Sequence, residues 1–234
     1  MGVSNHNIER RDELRLLHKL RKMLPAEAVI FDVGANSGQY ATIARQAFPQ
    51  ARITSFEPNP AAFAKLQETA GRLGIQAIAM GCGSTPGKAA MFDRSADAGT
   101  PFATLVPGVL EQAGMDPERF EVELTTIDAF CVEQGVDQLD LLKIDVEDFE
   151  QSVLEGASDM LARRAVRVVQ FEFNAMNLLS HTTMDDLAGL LDGYALHRLL
   201  YDGSLLPIDQ APTIRRNLFG FQNIVALRRD DPLR

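Results

Sequence analysis

Cysteine is scarce in this chain: its 234 residues contain two, Cys82 and Cys131. Neither belongs to a C-x-x-C pair and no Cys/His cluster has zinc spacing, which argues against a zinc site and suits a reducing cytoplasm. Long apolar runs that could span a membrane are also missing. The first residues are charged and polar, unlike a secretory signal. His6 stands where myristoylation of Gly2 would need Ser or Thr. We therefore expect a cytoplasmic protein with no membrane partner. Basic charge is the third scarcity, with 23 Lys and Arg against 32 Asp and Glu and a net charge of −9. Chains that bind nucleic acid neutralise phosphates with clustered Lys and Arg. Here Arg10-Arg11, Arg163-Arg164, Arg215-Arg216 and Arg228-Arg229 are short and scattered, the pattern of solvated faces and element ends. Nucleic acid is not expected as a partner. Tryptophan is absent too, which excludes nothing.

What is present is ordinary for a globular protein, with 46% hydrophobic and 24% charged residues. The length fits one α/β domain better than two. Ile8 to Leu24 carries leucines at helical spacing and stops at Pro25, so residues 1–27 read as an N-terminal helical segment preceding a domain over 28–230. Apolar runs at 28–33, 52–56, 75–80, 139–146, 166–173, 194–201 and 221–228 read as strands. Helical patterns at 40–48, 60–73, 127–133, 150–161 and 184–191 lie between them. Gly203 and Pro207 mark a turn after the sixth run, and Gly87 a turn before a further short strand at 89–92. Alternation of this kind means βαβ units and a parallel sheet. The last strand lacks room for a crossover and is expected antiparallel. The fold class is α/β: a doubly wound, mostly parallel seven-stranded sheet with an antiparallel terminal strand.

The sharpest motif is Asp32-Val33-Gly34-Ala35-Asn36-Ser37-Gly38, directly after the first strand. Ligands of open α/β sheets bind at the carboxyl ends of the strands. Gly34 and Gly38 would allow close backbone approach, and Asn36 tolerates a left-handed backbone. Glu57 ends the second strand roughly twenty residues on, where an acid can accept from ribose hydroxyls. A dinucleotide needs G-x-G-x-x-G, yet positions 34, 36 and 39 read Gly, Asn and Gln. S-adenosylmethionine has a ribose but no phosphate, and Asp32 suits its cationic amino-acid end.

These residues, in order, resemble the FkbM family of methyltransferases. The resemblance rests on Asp32 to Gly38, on Phe56-Glu57-Pro58-Asn59-Pro60, on Leu142 to Glu150, and on Val153-Leu154-Glu155-Gly156-Ala157. Gln170-Phe171-Glu172-Phe173-Asn174 and Asn223-Ile224-Val225-Ala226-Leu227 complete it. It implies a Rossmann-like class I methyltransferase fold, S-adenosylmethionine as cofactor, and O-methylation of natural-product or sugar hydroxyls. It also implies cofactor contacts from Asp32, Gly34, Asn36, Gly38 and Glu57. Ala35, Tyr40, Pro58, Gly81, Cys82 and Asp145 complete the expected cofactor surround. Asp148 stands where the family usually has Gly.

An aliphatic hydroxyl must lose its proton as the new bond forms. Asp145, Glu147, Glu172 and His181 are the candidate catalytic residues, since Asp145 and Glu172 close two apolar strands and histidine is a residue type suited to general-base work. A second reading has Asp145, Glu172 and Asn174 hold Mg²⁺. Lys143 is expected to pair with a neighbouring acid, and Cys82 to be either an adenine neighbour or packing. Residues 81–120 and 174–183 are expected to form the acceptor pocket, with Arg215 and Arg216 either reaching an acidic acceptor group or lying in an exposed turn. Two further functional readings stay open: an NAD(P)-dependent oxidoreductase, and a catalytically silent cofactor-binding partner subunit. Oligomeric state is not readable, and a homodimer is among the assemblies allowed.

Overall fold

The computed structural model describes residues 11–94, 103–112 and 114–230. The expectations made on Gly2 and His6, on the helix start at Ile8, and on most of the loop from 96 lie outside these residues. Helix α1 spans Arg11–Leu20, and its Leu16, Leu17 and Leu20 are buried at the spacing the sequence showed. Strand β1 (Val29–Val33), helix α2 (Gln39–Ala47), strand β2 (Arg52–Phe56) and helix α3 (Pro60–Leu73) follow. Asn59 caps α3 by accepting from the amides of Ala61 and Ala62, and Gly74 ends it in the left-handed conformation. Then come β3 (Gln76–Ile78), β4 (Gly81–Cys82), β5 (Gly87–Arg94), α4 (Val109–Gln112), β6 (Pro117–Thr125), α5 (Ile127–Gln134) and β7 (Leu139–Ile144). The chain continues through α6 (Glu150–Glu155), α7 (Ser158–Ala162), β8 (Val166–Phe173), a 3₁₀ turn (Ala175–Leu178) and α8 (Met184–Leu190). It closes with β9 (Tyr194–Leu199), β10 (Leu205–Pro207), α9 (Thr213–Arg216) and β11 (Gln222–Arg228).

The main sheet has the order β10-β9-β11-β8-β7-β1-β2-β3. Strands β3, β2, β1, β7 and β8 are mutually parallel, and β11 lies antiparallel between β8 and β9. The terminal strand is therefore antiparallel, as expected. The sheet has eight strands rather than seven, because Leu205–Pro207, read as part of a turn, pairs antiparallel with β9. Pro207 is tolerated at the end of an edge strand, where its missing N–H costs no ladder bond. A separate three-stranded sheet, β4-β6-β5, departs from the main one at Gly81.

One expected helix, 150–161, is two. Gly156 sits so close to the Gly83 carbonyl oxygen that an added Cβ would overlap it, and the chain bends there from α6 into α7. The two faces of the main sheet bury separate apolar cores. Phe31, Phe56, Leu142, Ile144, Val169, Phe171 and Phe173 belong to one. Ile30, Ile53, Leu141, Val168 and Val225 belong to the other, packed with α1 leucines and with Tyr40 and Ala44 of α2. It is on this second face that the polar residues gather.

Candidate active site

Side chains two apart on a strand share a face, so the second face can be read as successive rows. Ile53, Ile30, Leu141 and Val168 form the apolar row. Two residues on stand Ser55, Asp32, Lys143 and Gln170, aligned by the registers Asp32↔Ser55, Asp32↔Lys143 and Lys143↔Gln170. Another two residues on, just past the ends of β2, β1 and β7 and at the penultimate position of β8, stand Glu57, Gly34, Asp145 and Glu172. The sheet order thus stacks a polar row and then an acidic row on an apolar floor, at the carboxyl ends of β2, β1, β7 and β8.

The polar row is buried and bonded. Ser55 Oγ donates to Asp32 Oδ2 at 3.3 Å. The Lys143 ammonium is 1% exposed, pairs with Asp145 Oδ2 at 3.0 Å and lies 5.2 Å above the Tyr40 ring. Tyr40 donates its hydroxyl to Gln170 Oε1 at 3.0 Å. Gln170 Nε2 donates to Glu13 Oε1 of α1 at 2.8 Å and to Asn223 Oδ1 at 3.3 Å. Tyr40, expected among the cofactor contacts, is 2% exposed and turned inward to this network. Lys143 does pair with an acid, as expected.

The loop after β1 is self-satisfied. The amides of Gly34 and Ala35 both donate to the Phe56 carbonyl at 3.0 Å, and that of Gly38 to the Ala35 carbonyl at 2.8 Å. Asn36 N donates to Glu57 Oε2 at 2.7 Å and Ser37 N to Asn36 Oδ1 at 2.8 Å. Asn36 is left-handed (φ 47°), as its side chain permits. Gly34 (φ 78°) is required by the chain itself: an added Cβ would overlap the Asp145 carbonyl oxygen. At Gly38 a Cβ would lie 2.7 Å from Thr69 Cγ2 of α3. Both glycines therefore serve close packing of the chain on itself.

Glu57 Oε1 accepts from Asn59 N at 2.8 Å, so each carboxylate oxygen holds one backbone amide and keeps a further lone pair. Burial, opposed by those two amide bonds, pushes Glu57 up from 4.5 to about 7. Pro58 and Gly81 are neighbours, the position of a Gly81 Cβ being 3.4 Å from Pro58 Cγ. Cys82 is 1% exposed within the apolar core. Burial raises its thiol well above the usual range, which fits packing rather than chemistry.

The acidic row is crowded. Burial first, then the charges of Asp145 and Glu150, hold Glu147 well above the usual carboxylate range, with Lys143 opposing. Burial, then Asp145 and Glu147, do the same to Glu172, with the Asn174 hydrogen bond opposing. Glu150, which accepts from Val146 N at 3.1 Å, is pushed up to about 8 by burial. The structure thus brings Asp145, Glu147 and Glu172 together. It does not bring His181 to them: that side chain is exposed, and among the described residues no contact joins its ring to the carboxylates. The Asn174 amide donates to Glu172 Oε1, while Asn174 Oδ1 accepts from Met176 N at 2.6 Å. Among the described residues no group of three His, Cys, Asp or Glu is placed to hold a metal. Arg216 pairs with Asp185 at 2.5 Å, and Arg164, Arg228 and Arg229 pair with Asp230 or Asp209.

Sequence reasoning missed Gln170, Glu13, Glu150 and the function of Tyr40 as a support. The available signal was a polar residue inside an apolar strand, as at Lys143 and Gln170, which burial alone disfavours.

The fold is similar to the precorrin-6y C5,15-methyltransferase of Geobacter metallireducens (TM-score 0.50, 10% identity, covering 97% of this chain and 93% of that one). It is also similar to the METTL16 MTase domain (TM-score 0.52, 7% identity, 98% and 71% covered). Among curated relatives, the 31-O-demethyl-FK506 methyltransferase FkbM of Streptomyces tacrolimicus is 30% identical over 155 residues, 56% of this chain and 60% of that protein. The 2-O-methyltransferase NoeI of Sinorhizobium fredii is 26% identical over 161 residues, 65% of each. Methyltransferase 1 of Beauveria bassiana is 27% identical over 158 residues, 58% of this chain and 60% of that one. The chain thus spans between 60% and 65% of the length of these relatives. Residues 32–191, which run from the first acid of the β1 loop past the acidic row, match the Methyltransferase FkbM domain, and the chain belongs to the FkbM family of methyltransferases.

Proposed function

We propose that this protein is an S-adenosylmethionine-dependent enzyme that methylates a hydroxyl of a small molecule, natural product or sugar. The observation that carries the cofactor reading is the state of the β1 loop. All five amides from Gly34 to Gly38 are engaged within the chain, so the loop itself offers none to a pyrophosphate. That argues against an NAD(P)-dependent oxidoreductase. A ligand here meets carboxylates instead: Asp32, Glu57, Asp145, Glu147 and Glu172. Glu57, Glu147 and Glu172 are held above their ordinary range by burial first and by neighbouring carboxylates second, and a cation favours their ionised forms, so the residues present fit a ligand bearing a sulfonium and an ammonium group.

The outward lone pairs of Glu57 would accept from the ribose hydroxyls, and Asp32 and Asp145 would offset the positive charge. S-adenosylmethionine supplies a methyl group already activated for displacement. The chain then needs to orient an acceptor oxygen and receive its proton. Glu172 and Glu147 suit that task, because a carboxylate raised toward neutrality is a stronger base than an exposed one. As the oxygen–methyl bond forms, the hydroxyl proton passes to one of them. The relatives named for 2-O- and 31-O-methyl transfer favour oxygen as acceptor atom. An intact carboxylate pair argues against a silent partner subunit. Transfer of radiolabelled methyl from S-adenosylmethionine to a panel of methyl glycosides, polyols, amines and carboxylates, with and without EDTA, tests this reading. Labelled ether insensitive to EDTA is expected. Labelling of amine or carboxylate acceptors alone would contradict it.

A further inference from the structure

The turn after β7 places two consecutive non-glycine residues in the left-handed region, Glu147 (φ 49°) and Asp148 (φ 78°). Side-chain-bearing residues hold such a conformation where their surroundings impose it, often at functional sites. The surroundings here are specific. Thr104 Oγ1 donates to the Glu147 carbonyl at 2.6 Å. Asp148, 6% exposed, accepts at Oδ1 from Asn177 Nδ2 at 2.8 Å and from Ser180 Oγ at 2.7 Å. Asn177 then passes the restraint on, because its Oδ1 accepts from Asn174 N at 2.8 Å. Asn174 in turn donates its side-chain amide to Glu172 Oε1. Asp148, Asn177, Asn174 and Glu172 therefore form one connected line between the segment after β7 and the segment after β8.

We infer that Asp148 is a positioning residue that fixes the 174–182 segment, and through Asn177 and Asn174 the Glu172 carboxylate, relative to Glu147. The position that glycine would fill most easily by backbone criteria is held by a residue whose side chain does this joining. Its consequence is a fixed wall on the acceptor side: two acids borne by different strands keep one relative placement, and only acceptors whose hydroxyl fits between them are served. This rests on the reading of Glu147 and Glu172 as proton acceptors, but the joining itself can be tested without an acceptor.

The experiment is hydrogen–deuterium exchange on wild type, Asp148→Gly and Asp148→Asn, with thermal melting and calorimetric binding of S-adenosylmethionine on the same samples. In Asp148→Gly, exchange across 174–182 should rise at least about tenfold, because both hydrogen bonds to its carboxylate are lost. The melting temperature should fall only modestly, because glycine adopts the φ of 78° freely and offsets part of what the lost hydrogen bonds cost. Binding of S-adenosylmethionine should be retained. Asp148→Asn keeps an acceptor oxygen and should restore most of the protection. Unchanged exchange in Asp148→Gly, or a general rise in exchange with a sharply lower melting temperature, would overturn the inference. Failure of wild type to bind S-adenosylmethionine would instead overturn the functional reading, leaving the exchange result to stand by itself.

Discussion

At the scale of single residues, the acid positions were legible because each stands at the carboxyl end of an apolar strand. Asp32, Glu57, Asp145 and Glu172 all close such runs, and the structure sets them at one end of one sheet. The supporting residues were harder to see. Lys143, Tyr40, Gln170 and Glu13 lie far apart in sequence and meet only because β1, β7 and β8 are adjacent and α1 packs over them. Two substitutions separate the roles. Gly34→Ala forces a side chain into φ 78° against the Asp145 carbonyl, and should cost about 3 kcal/mol or more of stability in urea unfolding. A loss under about 1 kcal/mol would mean that the loop is more yielding than its contacts imply. Glu57→Gln keeps the shape and removes the charge. It should weaken S-adenosylmethionine binding roughly 10- to 100-fold, the worth of charge-assisted hydrogen bonds, and cost about 1–3 kcal/mol in unfolding, because its amide nitrogen cannot accept from one of the two backbone amides that Glu57 holds. Unchanged affinity would remove Glu57 from the cofactor site.

At the scale of elements, periodicity located strands β2 and β8 and helix α3 with their ends and β1 to within one residue, and failed where tertiary contacts decide. Gly156 breaks the 150–161 helix because of the Gly83 carbonyl, a contact formed only once β4 has left the main sheet. Leu205–Pro207 becomes a strand because β9 offers an edge. Helix α1 lies outside the family match of residues 32–191, yet Leu17 is fully buried in the core shared with α2 and Glu13 reaches Gln170. Leu17→Ala should therefore cost about 2–5 kcal/mol, a loss readable in the same urea experiment. A cost near that of an exposed substitution, under about 0.5 kcal/mol, would show α1 to be an appendage.

At the scale of the whole molecule, charge is the dominant feature. Glu57, with an ordinary value of 4.5, stands at about 7, and Glu150 at about 8. A folded chain that holds protons more tightly than the unfolded one loses stability as pH rises. Below about pH 4.5 both states are protonated and these groups cost nothing. Between there and about pH 8 the unfolded chain ionises first, so the melting temperature of the ligand-free protein should fall across this window. A rise from pH 5 to 8 would mean that the buried acids are ionised at little cost. A cationic ligand reverses the balance: it favours the ionised carboxylates, releases protons on binding, and should bind more tightly at pH 8 than at pH 6. Among the described residues no helix is long and apolar enough to cross a membrane, in line with the absence of long apolar runs.

The most direct test of the central claim is calorimetric titration of the protein with S-adenosylmethionine at pH 6 and pH 8, with NADH as the control ligand. The account predicts saturable binding of S-adenosylmethionine, tighter at the higher pH, and none of NADH, because the loop at Gly34 has no amide left for a pyrophosphate. Preferential binding of NADH, or no binding of S-adenosylmethionine at either pH, would contradict it.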